Sequence, residues 1–504
     1  MLSLQFCSIL TEALPSFGPV YERGYSTVNL FAVKSMRRIV RESEGGSHHL
    51  KRTLGPLNLI LLGIGAVIGA GLFAITPTAA NMNAGTGIVY SFIIGGIGCA
   101  FAGMCYSEFA TMIPVAGSAY TYAYATMGEL LAWIIGWDLV LEYAVGAATL
   151  GVSWSNYLIK LLARFDLALP KAVTSGPWEG GIVNLPAIFV ICLTSCVLII
   201  GISESAKFNA VIVALKVTIV LLVIFVGWAH IDPANHTPII PPNTTGEFGH
   251  FGFSGVMRAA GIVFFAYIGF DAVSTAAQEA RKPQRDMPIG IIGSLGICTI
   301  LYVAFAWVLT GIKNYRDMTP TAIDDALRGI GYGWLSTGVI VGILCGYTSV
   351  ILVMLLGQSR VFYSMSRDGL LPRVFSDVHP KFLTPWKSNV LLMAFVSLFS
   401  GFVPLASLGN MTSIGTLLAF VIVCIGVMVM RRTNPNAPRP YRTPLVPLVP
   451  VLGILVCFAM MASLDSATWI RLVVWLAIGL TIYFAWSRYH SHLVTDPESA
   501  YDKK

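Results

Sequence analysis

Charge is scarce in this sequence. Only 11% of its 504 residues are Asp, Glu, Lys or Arg, against 56% hydrophobic, and the mean hydropathy is +0.74. A chain of that balance does not fold as a soluble globular domain. It also lacks a C-x-x-C, an H-E-x-x-H and any Cys/His cluster, the usual signatures of zinc chemistry and thiol redox. The nine cysteines sit mostly inside apolar runs, as at Cys99, Cys192, Cys298 and Cys345, where a small buried hydrophobe is the default role. No metal, cofactor or enzymatic centre is therefore expected. No filter-like repeat suggests a channel, and no signal peptide is evident, because the early apolar patch around Leu2–Leu10 is short and meets Glu12 and Pro15.

What the chain has instead is apolar length. Twelve runs can cross about 30 Å of hydrocarbon: 57–80, 87–110, 129–158, 185–203, 208–229, 254–277, 288–311, 335–358, 389–407, 411–430, 445–463 and 468–486. The fold class is an all-α polytopic membrane protein with the lipid bilayer as solvent. Basic residues concentrate in alternate loops. Lys34, Arg37, Arg38, Arg41, Lys51 and Arg52 precede the first span, and Arg281, Lys282, Arg285, Arg360, Arg367, Arg431 and Arg432 follow later ones. The opposite loops hold Lys160, Arg164, Lys171, Lys313, Arg316 and Arg328. By the positive-inside rule both termini are cytoplasmic. The net charge of +7 then reflects topology and not a nucleic-acid footprint.

Two spans are flawed as helices. The first reads LNLILLGIGAVIGAGLFAITPTAA, with Gly63, Gly65, Gly69 and Gly71 in its middle. Glycine weakens a helix interior by roughly 1 kcal/mol relative to alanine, and in lipid freed backbone groups must find partners. The sixth carries Gly269, Phe270 and Asp271 deep in GIVFFAYIGFDAVSTAAQE. A break near Ala266–Gly269 places Asp271 in the first turn of a second half-helix, where the helix dipole favours an anion. Each feature has a bland reading as well, close packing through small residues for the first and a structural carboxylate for the second. Five spans separate the two starts, so the second break crosses the membrane in the opposite sense. Inverted repeats with two discontinuous helices at the midplane are a secondary-transporter architecture.

Lys216 lies in the middle of the fifth span, nine residues or roughly 13 Å from Lys207 at the cytoplasmic end. A lysine stem snorkels only about half that distance, so Lys216 faces the bundle interior. It is either a proton-coupling group or a permanently charged pin that mimics a bound cation. In the third span Asp138 and Glu142 stand one turn apart. Glu142 can line a cavity for a cationic side chain or pair within the protein, while Trp137 beside Asp138 suggests interfacial anchoring.

The motifs GIGAVIGAGLF (63–73), PVAGSAYTYAYATMGELLAWIIGWDLVLEY (114–143), FFAYIGFDAVSTAAQEARKPQRDMPIGI (264–291), MSRDGLLP (365–372) and SIGTLLAFVIVCIGVMVMRR (413–432) resemble the amino acid–polyamine–organocation superfamily, specifically its cationic amino acid transporter branch. The resemblance runs from about Arg52 to Tyr489. It implies two inverted five-helix repeats with broken first and sixth helices, plus two peripheral helices. The corresponding segments are a cytoplasmic, mostly disordered 1–52, a first repeat 53–230, a second 250–432, two further helices in 443–487 and a cytoplasmic tail 488–504. It also implies that a substrate α-carboxylate meets the amides of Val67, Ile68, Gly69, Ala70 and Gly71. The α-amine would meet carbonyls of Phe265, Ala266 and Ile268. Many relatives have Thr where this chain has Ala70, so one hydroxyl contact is absent. By the same resemblance Lys216 takes the place that sodium holds in sodium-coupled relatives, and Glu142 is the acid that favours arginine and lysine. The expected function is proton-coupled amino acid symport by alternating access, in a bacterial inner membrane. The alternatives are a uniporter or exchanger, or an amino acid sensor.

Overall fold

Proline and glycine set where the first helix starts and stops. Pro56 occupies its first turn behind Gly55, and the helix α1 (Pro56–Val67) ends where Ile68 turns extended, at ψ 102°. Pro is tolerated there because its missing N–H has no intrahelical partner anyway. The chain resumes as α2 (71–84), which contains two π-helical turns, Gly71–Ile75 and Ala80–Ala84. The coordinates are a computed structural model that describes residues 30–34, 54–113, 118–201, 206–275, 277 and 280–492. The expectations for Arg37, Arg38, Arg41, Lys51 and Arg52, and for residues 114–117 of the second motif, lie outside the described residues.

The principal helices that follow are α3 (Ile88–Met112), α4 (Ser118–Thr126), α5 (Glu129–Ala163), α6 (Leu185–Ile200), α7 (Ala206–Trp228), α8 (Gly252–Val263) and α9 (Ala272–Thr275). After them come α10 (Pro283–Ile312), α11 (Ala322–Gly329), α12 (Gly333–Arg367), α13 (Trp386–Phe402), α14 (Leu405–Thr433), α15 (Leu448–Ser463) and α16 (Ser466–His490). With α1–α2 and α8–α9 each taken as one interrupted crossing, the described residues contain the twelve expected spans. Large apolar side chains such as Phe225, Val211, Leu455 and Val473 point outward and stay exposed. Such a belt suits lipid and would be a liability in water.

The spans form two packed groups. Helices α1, α3, α8 and α10 pack on one another, and α5, α6, α12 and α13 do the same. Helix α7 touches α1, α10 and α12, while α14 reaches α3, α5 and α8, so these two bridge the groups. They occupy matching places, fifth and tenth in order, as an inverted repeat requires.

The break in the sixth span includes the expected Ala266–Gly269 and extends to either side of it. Regular helix ends at Val263, tightens to a 3-10 turn at Phe264–Tyr267, and opens at Ile268, which is extended. Gly269 follows with φ +110°, a conformation that side chains other than glycine rarely adopt. Asp271 precedes α9 and is not in its first turn; its carbonyl accepts the Ser274 amide at 2.7 Å. The stretch from Ile268 to Asp271 is therefore the cap of the half-helix, a residue or two beyond where periodicity alone puts it.

Candidate functional site: two broken helices and their polar partners

The two breaks touch reciprocally. A Cβ on Gly71 would overlap the backbone of Ala266, and a Cβ on Gly269 would lie 3.0 Å from the Ala66 carbonyl oxygen. Each glycine just past one break packs on the residue before the other. The missing side chain at Gly71 is thus explained by helix contact. It does not by itself indicate space for a carboxylate. Gly69 differs: its missing Cβ faces Leu150 of α5 at 3.3 Å and Val350 of α12 at 3.8 Å, both apolar.

Backbone groups freed by the breaks are met from neighbouring helices. Gly65 O would accept from residue 69 in a continuous helix. Lys216 Nζ of α7 donates to it at 2.7 Å instead. Lys216 is 1% exposed, and its stem lies over Gly346 of α12, so the interior placement expected from snorkelling reach is what the structure has. The matching helix α14 supplies Ser413, whose hydroxyl lies 3.4 Å from Ile262 O in α8. The Tyr302 hydroxyl of α10 contacts both breaks at once, at 2.9 Å from Val67 O and 3.0 Å from Ala266 O. Tyr157 of α5 donates to Phe73 O in α2 at 2.9 Å.

These contacts redistribute the expected substrate contacts. The Ile68 amide is bonded to Ile64 O at 2.9 Å, and Val67 is the last residue of α1. Gly69, Ala70 and Gly71 remain as the amides at the head of the second half-helix, where a helix N-terminus attracts an anion. Among the carbonyls, Phe265 O accepts the Ile268 amide at 3.3 Å and Ala266 O takes the Tyr302 contact. Ile268 stands in the extended break itself.

Three carboxylates collect beside this core. Glu142 lies in a π-helical turn, Leu141–Val145, a local irregularity that recurs at functional sites. It is 0% exposed, with Asp271, Asp138 and Thr416 as interacting neighbours. Tyr143 donates its hydroxyl to Asp271 Oδ2 in a short bond. Among the described residues, both carboxylate oxygens of Glu142 and of Asp138, Asp271 Oδ1 and Ser274 Oγ have no hydrogen-bonded partner. The interfacial reading of Asp138 is overturned, since the residue is 1% exposed and packs on Gly415 of α14. Trp137, roughly 100° round the helix, turns the other way and stacks on Trp475 of α16 at 4.7 Å.

Sequence reasoning missed Tyr302, Tyr143 and Tyr157. A tyrosine in an apolar span carries no charge to betray it, yet its hydroxyl needs a partner there. Tyr143 sits inside a quoted motif beside Glu142, and that adjacency is the one signal that could have found it.

Known proteins place this arrangement. A family model described as amino acid permease matches residues 54–485. The chain is 42% identical to a methylthioribose transporter of Bacillus subtilis, over 92% of this chain and 99% of that one. It is also 42% identical, over the same shares, to the branched-chain amino acid permease BcaP of that organism. Against the vacuolar cationic amino acid transporter 4 of Arabidopsis thaliana identity is 34%, over 78% of this chain and 65% of the relative. The chain is an integral membrane protein of the amino acid permease family, within the amino acid–polyamine–organocation superfamily and akin to its cationic amino acid transporter branch.

Proposed function

We propose that this protein is a secondary active amino acid transporter that works by alternating access and couples uptake to protons. The single observation that carries the reading is the reciprocal contact of two interrupted helices, with half-helix amides at Gly69–Gly71 and an extended carbonyl segment at Ile268. A helix N-terminus suits an α-carboxylate and freed carbonyls suit an α-ammonium. Lys216 is the coupling group in this reading: with its amine charged it holds the end of α1 through Gly65 O, and with the proton lost that hold weakens. No covalent chemistry is involved.

The apolar lining beyond Gly69, from Leu150 and Val350, supports neutral side chains, and the name of the branched-chain permease agrees with that. Glu142 supports cationic ones only if it turns from Asp271 toward the ligand. The test is uptake of labelled amino acids into proteoliposomes, competed by all twenty amino acids and by methylthioribose, with and without an inward proton gradient. Competition by amino acid esters or N-acetyl derivatives as strong as by the parent compounds would overturn the recognition of both α-groups. Uptake without any response to the gradient would instead leave a uniporter or exchanger with Lys216 as a fixed pin.

A further inference from the structure

Helices α6 (Leu185–Ile200) and α13 (Trp386–Phe402) are short for membrane spans, with 16 and 17 residues. At 1.5 Å per residue they measure roughly 24 and 26 Å, against about 30 Å of hydrocarbon. The two pack on each other. At one end they stop together, where Asn184 N, at the cap of α6, donates to Gly401 O at 2.9 Å. Such a shortfall is met either by thinning of the bilayer or by apolar groups beyond the helix ends. What lies beyond this shared end is the connection 165–184, which joins α5 to α6.

This connection is apolar where a loop in water is normally polar. Trp178 is 82% exposed, Ile182 67% and Phe165 65%, and Leu167 is exposed as well. The side chains do not hang on a loose loop. Ile182 N and Val183 N share Ala172 O, at 2.9 and 3.1 Å. Gly176 runs so close to α13 that a Cβ there would lie 2.9 Å from Phe402 O. Asn184 caps α6 by accepting the Ala187 amide at 3.1 Å, and it also takes the Ser155 hydroxyl at 2.7 Å. Trp178 stands in the middle of a 3-10 turn, Pro177–Glu179, which Gly180 closes at φ +81°, a conformation that favours glycine.

The exposed apolar positions also continue those of the helices. On α6, Leu185, Phe189 and Leu193 are exposed at intervals of four residues, which is one stripe along the helix, and Ile182 precedes it by three. On α13, Leu398 and Phe402 are exposed in the same way, ending beside Gly176. The lipid-facing surface of two spans thus runs on into the connection. Charge does not account for the attachment, because 165–184 holds one lysine, Lys171, against two acids, Asp166 and Glu179. A tryptophan at the edge of an apolar belt is the side chain favoured at the headgroup level.

We propose that the connection 165–184 is an interfacial anchor, which seats Trp178 and Ile182 in phospholipid at the headgroup–acyl boundary and so completes the apolar height that α6 and α13 lack. The occupant of this surface is zwitterionic lipid, held by apolar contact, and the basic-residue asymmetry assigns the connection to the outer leaflet.

The test uses the full chain in phosphatidylcholine proteoliposomes. Trp178 is read as the difference in fluorescence between the wild type and Trp178→Phe, a substitution at an exposed site that leaves the packing alone. Phosphatidylcholine brominated near the top of its acyl chains should quench that difference by about half, and iodide in the water by no more than about a tenth. Strong quenching by iodide with none by the brominated lipid would put Trp178 in water and overturn the anchor. Protection from both quenchers, with protomers cross-linking through this face, would make it an interface between copies of the chain and overturn it equally. Bilayer thickness gives the second readout, through Trp178→Ser combined with Ile182→Ser. In thick bilayers of 22-carbon chains the pair should lower the melting temperature by about 5 °C, and in thin 14-carbon bilayers, which the short helices match unaided, by about 1 °C. Equal losses in the two, or the larger loss in the thin bilayer, would overturn the role in completing the span.

Discussion

Replacing Lys216 by methionine keeps the length and most of the volume of the side chain while removing its ammonium. In the structure that ammonium donates to Gly65 O at 2.7 Å, and Gly65 belongs to the last turns of α1, within a fully enclosed site. Leaving a buried carbonyl without its partner costs about 1–3 kcal/mol, and near-isosteric apolar replacement adds less than about 1.5 kcal/mol of repacking. The substitution therefore weakens the hold on the end of α1 by about 2 kcal/mol, a shift of roughly 30-fold between two arrangements of that segment. Because the change is local and the packed groups are held elsewhere, Lys216→Met should insert and purify as the wild type does. Binding of a neutral amino acid should survive within a few fold, while uptake driven by an inward proton gradient disappears and counter-exchange persists. The assay is parallel measurement of gradient-driven uptake and of exchange in the same vesicles. Gradient-driven uptake retained by Lys216→Met would refute the coupling role, as would a wild-type rate indifferent to the gradient.

Glu142→Gln should weaken arginine or lysine more than alanine, by about 1–3 kcal/mol, and an equal loss for both in competition binding would mark Glu142 as a structural partner of Asp271. Gly71→Val forces a side chain into the Ala266 backbone and should abolish binding and lower thermal stability together, whereas Gly69→Ala, with Leu150 at 3.3 Å, should be tolerated structurally and lower affinity alone; the reverse ranking would contradict the reciprocal contact. In the segment after α7, burial holds the His236 imidazole below its ordinary value against the opposing effect of the Trp307 carbonyl. A depressed histidine favours the folded state fully above about pH 6.5 and loses that advantage as pH falls toward its folded value. The protection factors of residues 230–250, with the intrinsic pH dependence of exchange divided out, should then fall between pH 7.5 and pH 5 in the wild type and stay flat in His236→Gln, and equal pH dependence in both would exclude His236 as the cause. Asp325 of α11 follows the same sign in a lower pH window. Its burial alone would raise the carboxyl, but the Lys160 bond and the Lys313 charge outweigh that and hold it low, so its contribution persists above about pH 4 and is lost below.

The membrane made most of the fold legible. Uncharged runs of spanning length have few alternatives in lipid, and each apolar window falls on a helix or an interrupted pair, although α12 runs on to Arg367, nine residues past its window. Lys216 was legible for the same reason: a charge too deep to escape must be met inside. The edges of the sixth break were not legible, because Phe264 to Tyr267 tightens to a 3-10 turn before it opens, and no composition signal separates that from continuing helix. Asp138 was misjudged through its neighbour. Trp137 does mark a helix face, but consecutive helical residues point about 100° apart, so the tryptophan says nothing about where the adjacent carboxylate goes. The partners that satisfy the freed carbonyls come from other helices distant in sequence: Tyr302 lies 235 residues from Val67, and Lys216 and Ser413 each lie 151 residues from their acceptors. Only the three-dimensional packing brings them there.

Substrate class is decided by still fewer residues. Two relatives that share 42% of this sequence over nearly their full length are named for methylthioribose and for branched-chain amino acids, so overall identity does not discriminate between ligands that differ this much. In the proposed reading the half-helix amides at Gly69–Gly71 suit a carboxylate, which an amino acid carries and methylthioribose lacks, but they do not rank one amino acid against another. In the same reading, discrimination among amino acids falls to side chains near the breaks: Leu150 and Val350 on the apolar side, Glu142 with Asp271 and Tyr143 on the polar one. One methylene in an apolar pocket is worth only about 1–3 kcal/mol, whereas a buried carboxylate left unpaired by the wrong ligand costs more. Exchanging Leu150 or Val350 for alanine should therefore broaden the range of neutral amino acids accepted by roughly tenfold in relative affinity. Exchanging Glu142 should instead change which chemical class competes at all. A Leu150→Ala variant with an unchanged competition profile would place the side-chain pocket elsewhere.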